Sequence, residues 1–179
     1  MTLNDLKSSL PDYAKDLRLN LDSVLGENGA PGLTQKQIAL MALAAAIASR
    51  HEPMTRAIAA FASQYASAEE LNGIRAAAAV MAMNNIYYRF THLVGNEEFA
   101  TMRTSLRMNV MLNPGGSKMD FELASLVVSA INGCGQCMQS HERTLRKHEV
   151  SAQAIQSAVR IAAVVHAAAV TLEQMQAAA

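Results

Sequence analysis

Two alanine runs, Ala44–Ala46 and Ala76–Ala79, set in apolar sequence, constrain this chain more than any other feature. Alanine is the best intrinsic helix former, because it gives up no side-chain entropy in a helix. Strands want β-branched and aromatic residues alternating with a period of two. No segment here sustains that alternation, and aromatic residues make up only 4% of the sequence. The chain is therefore expected to be all-α. No stretch rich in Ser, Gly or Pro divides it, so residues 1–179 are expected to form a single domain. A chain of this length buries roughly 70% of its unfolded surface, enough for a core without staples.

Composition removes several function classes. Hydrophobic residues are 51% and charged residues 17%, against roughly 25% charged in an average domain, which excludes a disordered chain. Fifteen Lys and Arg balance fifteen Asp and Glu, so there is no basic footprint for nucleic acid. The start, Met-Thr-Leu-Asn-Asp-Leu-Lys, has neither the apolar run nor the cleavage site of a signal peptide. The longest apolar stretch, Ile38 to Ser49, ends at Arg50 and His51, short of the roughly 20 residues of a membrane helix. The reading is a cytoplasmic protein with no nucleic-acid and no membrane partner. Its two cysteines cannot staple a scaffold, and in a reducing compartment a close pair points to catalysis or metal.

Caps and breakers place the helices. Thr34 with Gln37 and Ser67 with Glu70 fit the capping box, in which each side chain satisfies the other's orphan amide. Asp120 is expected to cap a helix beginning at Phe121, and Ser151 one beginning at Ala152. Pro11, Pro31, Pro53 and the Asn113-Pro114-Gly115-Gly116 loop mark gaps. Helices are predicted near 3–10, 13–24, 34–50, 54–65, 68–90, 97–109, 120–132, 134–147 and 151–175. A weak internal repeat is also legible: long helix, shorter helix, long helix, once from Thr34 and again from Asp120. On that reading residues 1–110 are an N-terminal scaffold half and 115–179 the half that carries chemistry.

The chemistry centres on Cys134-Gly135-Gln136-Cys137. Asn132-Gly133 suits the end of one helix, since both residues tolerate the left-handed conformation. The next helix then starts at or near Cys134. A thiol in a first helical turn meets unpaired amides and the positive end of the dipole, which favour the reactive thiolate. His141 lies four residues after Cys137, on the same helical face. Its imidazole is suited to taking a thiol proton near neutral pH. Glu122 sits about as far before the Asn132-Gly133 turn as His141 sits after it, so a hairpin brings the two together. A carboxylate orienting a histidine that serves a thiol is the logic of an activated nucleophile.

Competing readings share these residues. Cys134, Cys137, His141 and His148 form a candidate Cys₂His₂ zinc set, although the His141–His148 spacing exceeds the usual three to five intervening residues. Two inert buried thiols are the bland alternative. A c-type haem would need histidine where Met138 stands. Elsewhere His51 reads as a charge partner for a helix C-terminus, His92 and His166 as structural, and Tyr87-Tyr88-Arg89-Phe90 as core rim or interface.

These residues, with their flanks, resemble the AhpD branch of the carboxymuconolactone decarboxylase-like superfamily. The likeness runs through Phe121-Glu122-Leu123, Ser129 to Cys134, Cys137, His141-Glu142 and Thr144-Leu145-Arg146. It extends to Leu10–Asp16, Met83–Arg89 and Leu106–Asn109, and so covers nearly the whole chain. The resemblance implies an all-helical fold with an internal repeat, assembled as a homotrimer. It implies a thiol-dependent peroxidase and disulfide reductase that supports the peroxiredoxin AhpC and acts on hydroperoxides. It implies no tightly bound cofactor, with reducing equivalents from a lipoyl dithiol on a dehydrogenase-complex acyltransferase served by lipoamide dehydrogenase. By position Glu122, Cys134, Cys137 and His141 match that family's active residues, with Cys137 the attacking thiol and Cys134 the resolving one. The helix-start argument alone favours Cys134 as the thiolate. Gln136 departs from the pattern, since the family often has histidine there and glutamine cannot titrate. Lactone decarboxylation, another superfamily chemistry, needs no thiol pair.

Overall fold

The computed structural model describes residues 2–177, and all regular structure among them is helical. The α-helices are α1 (Leu3–Ser9), α2 (Lys15–Leu25), α3 (Gln35–Ser49), α4 (Glu52–Ala62), α5 (Ala68–Leu93), α6 (Glu97–Thr101), α7 (Lys118–Ile131), α8 (Gly135–Lys147) and α9 (Ala152–Ala177), with 3₁₀ turns at Asp12–Ala14 and Asn109–Met111. Helices α3 to α5 have 15, 11 and 26 residues, and α7 to α9 have 14, 13 and 26. The long–short–long repeat is thus present in the element lengths.

The two units are interlocked. Helix α3 packs on α7 and on α9, while α7 packs on α5. Each central helix is therefore covered by the other unit's long helix. This explains the alanine. Helices enclosed on all sides need small side chains to approach closely, and Ala39, Ala42 and Ala44–Ala46 have no exposed surface. Leu40, Met41 and Leu43 fill the space between. Each such fully buried side chain contributes on the order of 2–3 kcal/mol. The pseudo-symmetry is visible in single contacts. Gln37 and Asp120, each the third residue of its helix, meet where the units touch, and Gln37 Nε2 donates to Asp120 Oδ1 at 2.9 Å. Gly73 has its own packing reason: a methyl there would collide with the Gly115 carbonyl of the loop that leads into α7.

Several sequence expectations are corrected. The predicted 97–109 helix stops at Thr101. It buries no residue, so nothing holds a longer helix in place; the chain runs on irregularly, through Ser105 at φ +52°, until Met108, Val110 and Met111 turn onto the core. Ser117, not Asp120, caps α7 by accepting from the Asp120 amide, because Asp120 is occupied by Gln37. Helix α4 starts at Glu52, with Pro53 inside the first turn, where the amide that proline lacks has no intrahelical partner anyway. His51 is no C-terminal charge partner: it is buried, and its Nδ1 accepts from the Met54 amide as the N-cap of α4. His166 is structural, at 3.1 Å from Ser49 Oγ, whereas His92 is exposed. Helix α9, rather than 38–49, comes nearest to a membrane span by length and composition, and half of that window is buried inside the protein. Ile161, Val165 and Ala168 line the core there.

The capping box at Ser67 carries a measurable pH dependence. The Lys36 ammonium, 2.6 Å away, and the Ser67 amide hold the Glu70 carboxyl down at about 2, against an ordinary 4.5. A value depressed by folding stabilises the native state above the ordinary pKa, and the gain is lost as pH falls through the depressed one. Solvent reaches both side chains, so the contribution is on the order of 1 kcal/mol after screening. Urea unfolding should find Glu70→Gln less stable than the parent by that amount at neutral pH. The gap should close as pH falls from about 4.5 toward 2.

Candidate active site

The site is built on the α7–α8 junction. Helix α7 ends in a Schellman motif. Asn132 is still helical, Gly133 is left-handed at φ +69°, the Gly133 amide donates to Ala130 and the Cys134 amide to Ser129. That geometry reverses the chain within two residues and makes Cys134 the N-cap of α8. The Cys137 amide donates to Cys134 Sγ at 3.3 Å, so this sulfur sits where helix amides point. Cys134 and Cys137 are joined as a disulfide, with Cα atoms 5.3 Å apart. The first unit has the same backbone plan without the thiols. Arg50 takes the left-handed position, His51 is the N-cap, and Met54 stands where Cys137 does.

The hairpin brings Glu122 and His141 together: Glu122 Oε2 lies 2.7 Å from His141 Nδ1, and both residues are buried. With the carboxylate accepting from Nδ1–H, the tautomer is fixed and Nε2 carries the exchangeable lone pair. Nε2 is 3.3 Å from Met81 Sδ, a weak acceptor that leaves this nitrogen without a strong partner. Two further contacts brace the turn. Arg89 Nη1 donates to the Asn132 carbonyl at 2.6 Å, and Asn85 bridges Ser129 Oγ and Asn132 Nδ2.

A cleft of about 320 Å³ opens beside these groups, lined by Cys137 and His141 together with Met81, Asn84, Tyr88 and Met111. Cys137 is 6% exposed and Cys134 has no exposed surface, so only Cys137 meets the cleft. Gln136 is exposed on its rim. A larger hollow, of about 480 Å³ between α8 and α9, lies on another face and contains none of the predicted site residues. His148 is exposed at the far end of α8, seven residues beyond His141, or roughly 10 Å along the axis. The proposed zinc set therefore does not converge, and no group of three or more His, Cys, Asp or Glu among the described residues does.

Sequence reading missed the contribution of α5. Met81, Asn84 and Tyr88 share one face of that helix at helical spacing. They lie some fifty residues from the cysteines, and only the packing of α5 on α7 and α8 brings them near. The one local signal was a pair of amides, Asn84-Asn85, inside a largely apolar helix.

Residues 97–179, which include the whole α7–α8 junction, match the Carboxymuconolactone decarboxylase family. Nearly the whole chain aligns with proteins named alkyl hydroperoxide reductase AhpD. One from Streptomyces griseus is 51% identical over 173 residues, 97% of this chain and 96% of the relative. One from Brucella suis is 49% identical over 97% of both chains. One from Rhodospirillum centenum is 51% identical over 97% of this chain and 91% of its own.

Proposed function

This chain belongs to the AhpD family of alkyl hydroperoxide reductases, and from that premise we propose that it is a dithiol peroxidase and disulfide reductase working through a Cys134–Cys137 cycle. The observation that carries this reading is the thiol pair at the α8 N-terminus, with Cys137 opening on the same cleft as a carboxylate-oriented histidine. In the reduced enzyme His141 Nε2 takes the Cys137 proton while Glu122 stabilises the resulting imidazolium. The thiolate attacks the terminal oxygen of a hydroperoxide, the O–O bond breaks, and Cys137 becomes a sulfenic acid as the alcohol leaves. Cys134 then attacks that sulfur, water leaves, and the disulfide forms. The helix-start environment of Cys134 suits it to be the thiolate released when the disulfide is reopened.

Reduction needs an external dithiol. A lipoyl group fits, because its first thiolate attacks the Cys137 sulfur from the cleft and its second closes the lipoyl disulfide, releasing both enzyme thiols. The reading includes a lipoylated acyltransferase with lipoamide dehydrogenase upstream, the peroxiredoxin AhpC as an electron acceptor, a homotrimeric assembly, no tightly bound cofactor and a cytoplasmic setting. Gln136 at the cleft mouth provides hydrogen bonds but no proton, so proton transfer falls to His141.

The test is a coupled assay with NADH, lipoamide dehydrogenase and lipoamide. NADH should be consumed when the protein and an alkyl hydroperoxide are both present, faster when AhpC is added, and not when both cysteines are replaced by serine. No NADH consumption with or without AhpC would overturn the reading.

A further inference from the structure

Asn84 is a buried polar group that none of these steps uses. It is 3% exposed and lines the cleft beside Cys137 and His141. Its Oδ1 has no hydrogen-bond partner, and its Nδ2 reaches only Met111 Sδ, at 3.9 Å. Its other cleft neighbours include the thioethers of Met81 and Met108 and the ring of Tyr88. A desolvated amide oxygen with no partner loses its hydration without a bond in return, so an unpaired one in a cleft wall points to a ligand that completes it.

We infer that Asn84 anchors the hydroperoxide substrate: its amide, held by no strong partner, turns toward the cleft so that Oδ1 accepts the hydrogen of the terminal O–H, and the organic group lies against Met81, Met108 and Met111. The inference rests on the peroxidase reading above and adds to it a residue that positions the substrate. Held in this way, the terminal oxygen faces the Cys137 thiolate. The S–O bond forms as the O–O bond breaks. The hydrogen bound to Asn84 stays on the new sulfenic acid. The departing alkoxide takes the proton that His141 had removed from Cys137, so one thiol and one hydroperoxide yield one sulfenic acid and one alcohol. Asn84 orients the reacting oxygen without exchanging a proton.

The experiment is rapid-mixing oxidation of the fully reduced protein by tert-butyl hydroperoxide. Asn84→Leu, of similar size and without polar atoms, should react roughly 10- to 100-fold more slowly. Asn84→Ser, which keeps an acceptor, should retain more of the rate and guards against a folding defect in the leucine variant. Two controls report on the thiols alone: alkylation of the reduced protein by iodoacetamide, and reduction of the disulfide by dihydrolipoamide. Both should stay within about twofold of the parent. Oxidation of Asn84→Leu at the parental rate, or a parallel fall in alkylation, would overturn the anchoring role while leaving the peroxidase reading intact. A reduced parent protein inert to every hydroperoxide would instead remove the peroxidase reading, and the anchor with it.

Discussion

Cys137→Ser should reduce hydroperoxide turnover to the uncatalysed background, a loss of roughly a thousandfold or more, because no other thiol meets the cleft. Cys134→Ser should behave differently. It should react once with hydroperoxide and stop as the Cys137 sulfenic acid, which dimedone labels in a stoichiometric adduct visible by intact mass. Two arguments compete over these roles. Helix amides favour thiolate at Cys134, whose sulfur accepts the Cys137 amide. Access favours Cys137, the one cysteine of the pair that lines the cleft. Access decides the attacking step, since a thiolate that cannot reach the peroxide oxygen does not react, however low its pKa. The helix terminus instead suits Cys134 to be the sulfur expelled during reduction. Serine is also a good N-cap, so Cys134→Ser should keep α8 and isolate the chemical effect. Dimedone labelling of Cys134 in the Cys137→Ser protein, with turnover retained, would reverse the assignment.

What was legible in the sequence follows from how local each signal is. Capping boxes at Thr34 and Ser67 were readable because their partners lie three residues away. The meeting of Glu122 and His141 was readable because a helical hairpin converts equal offsets from a turn into proximity. The element pattern of the repeat was readable for the same reason. The failures are long-range. Asp120 looked like a cap until Gln37, 83 residues earlier, engaged it. His51 looked like a surface charge partner, but the left-handed Arg50 turns it inward to cap α4. The 97–109 segment had helical composition but no buried face to hold it. Asn84 could not be tied to the cysteines from sequence, since that link depends on α5 crossing the α7–α8 hairpin.

The Glu122–His141 pair should account for the second largest loss. His141→Gln removes the proton acceptor, and oxidation by hydroperoxide near neutral pH should fall by about 10²-fold, the lower range for a positioned general base. Glu122→Gln should cost less, about tenfold, because the amide oxygen still accepts from Nδ1 and holds the tautomer but no longer stabilises the imidazolium with a charge. The two groups act as one device, so the double variant should be little slower than His141→Gln alone. A structural defect would also slow the enzyme, and pH separates the two causes. Iodoacetamide alkylation of the reduced variants should lag the parent near pH 7 and approach it above about pH 9, where solvent hydroxide deprotonates an ordinary thiol without help. A deficit of constant size across that range would assign the pair to packing rather than to proton transfer. A normal rate in His141→Gln would leave Cys137 dependent on the α8 terminus alone, with its amide and dipole as the sole source of activation.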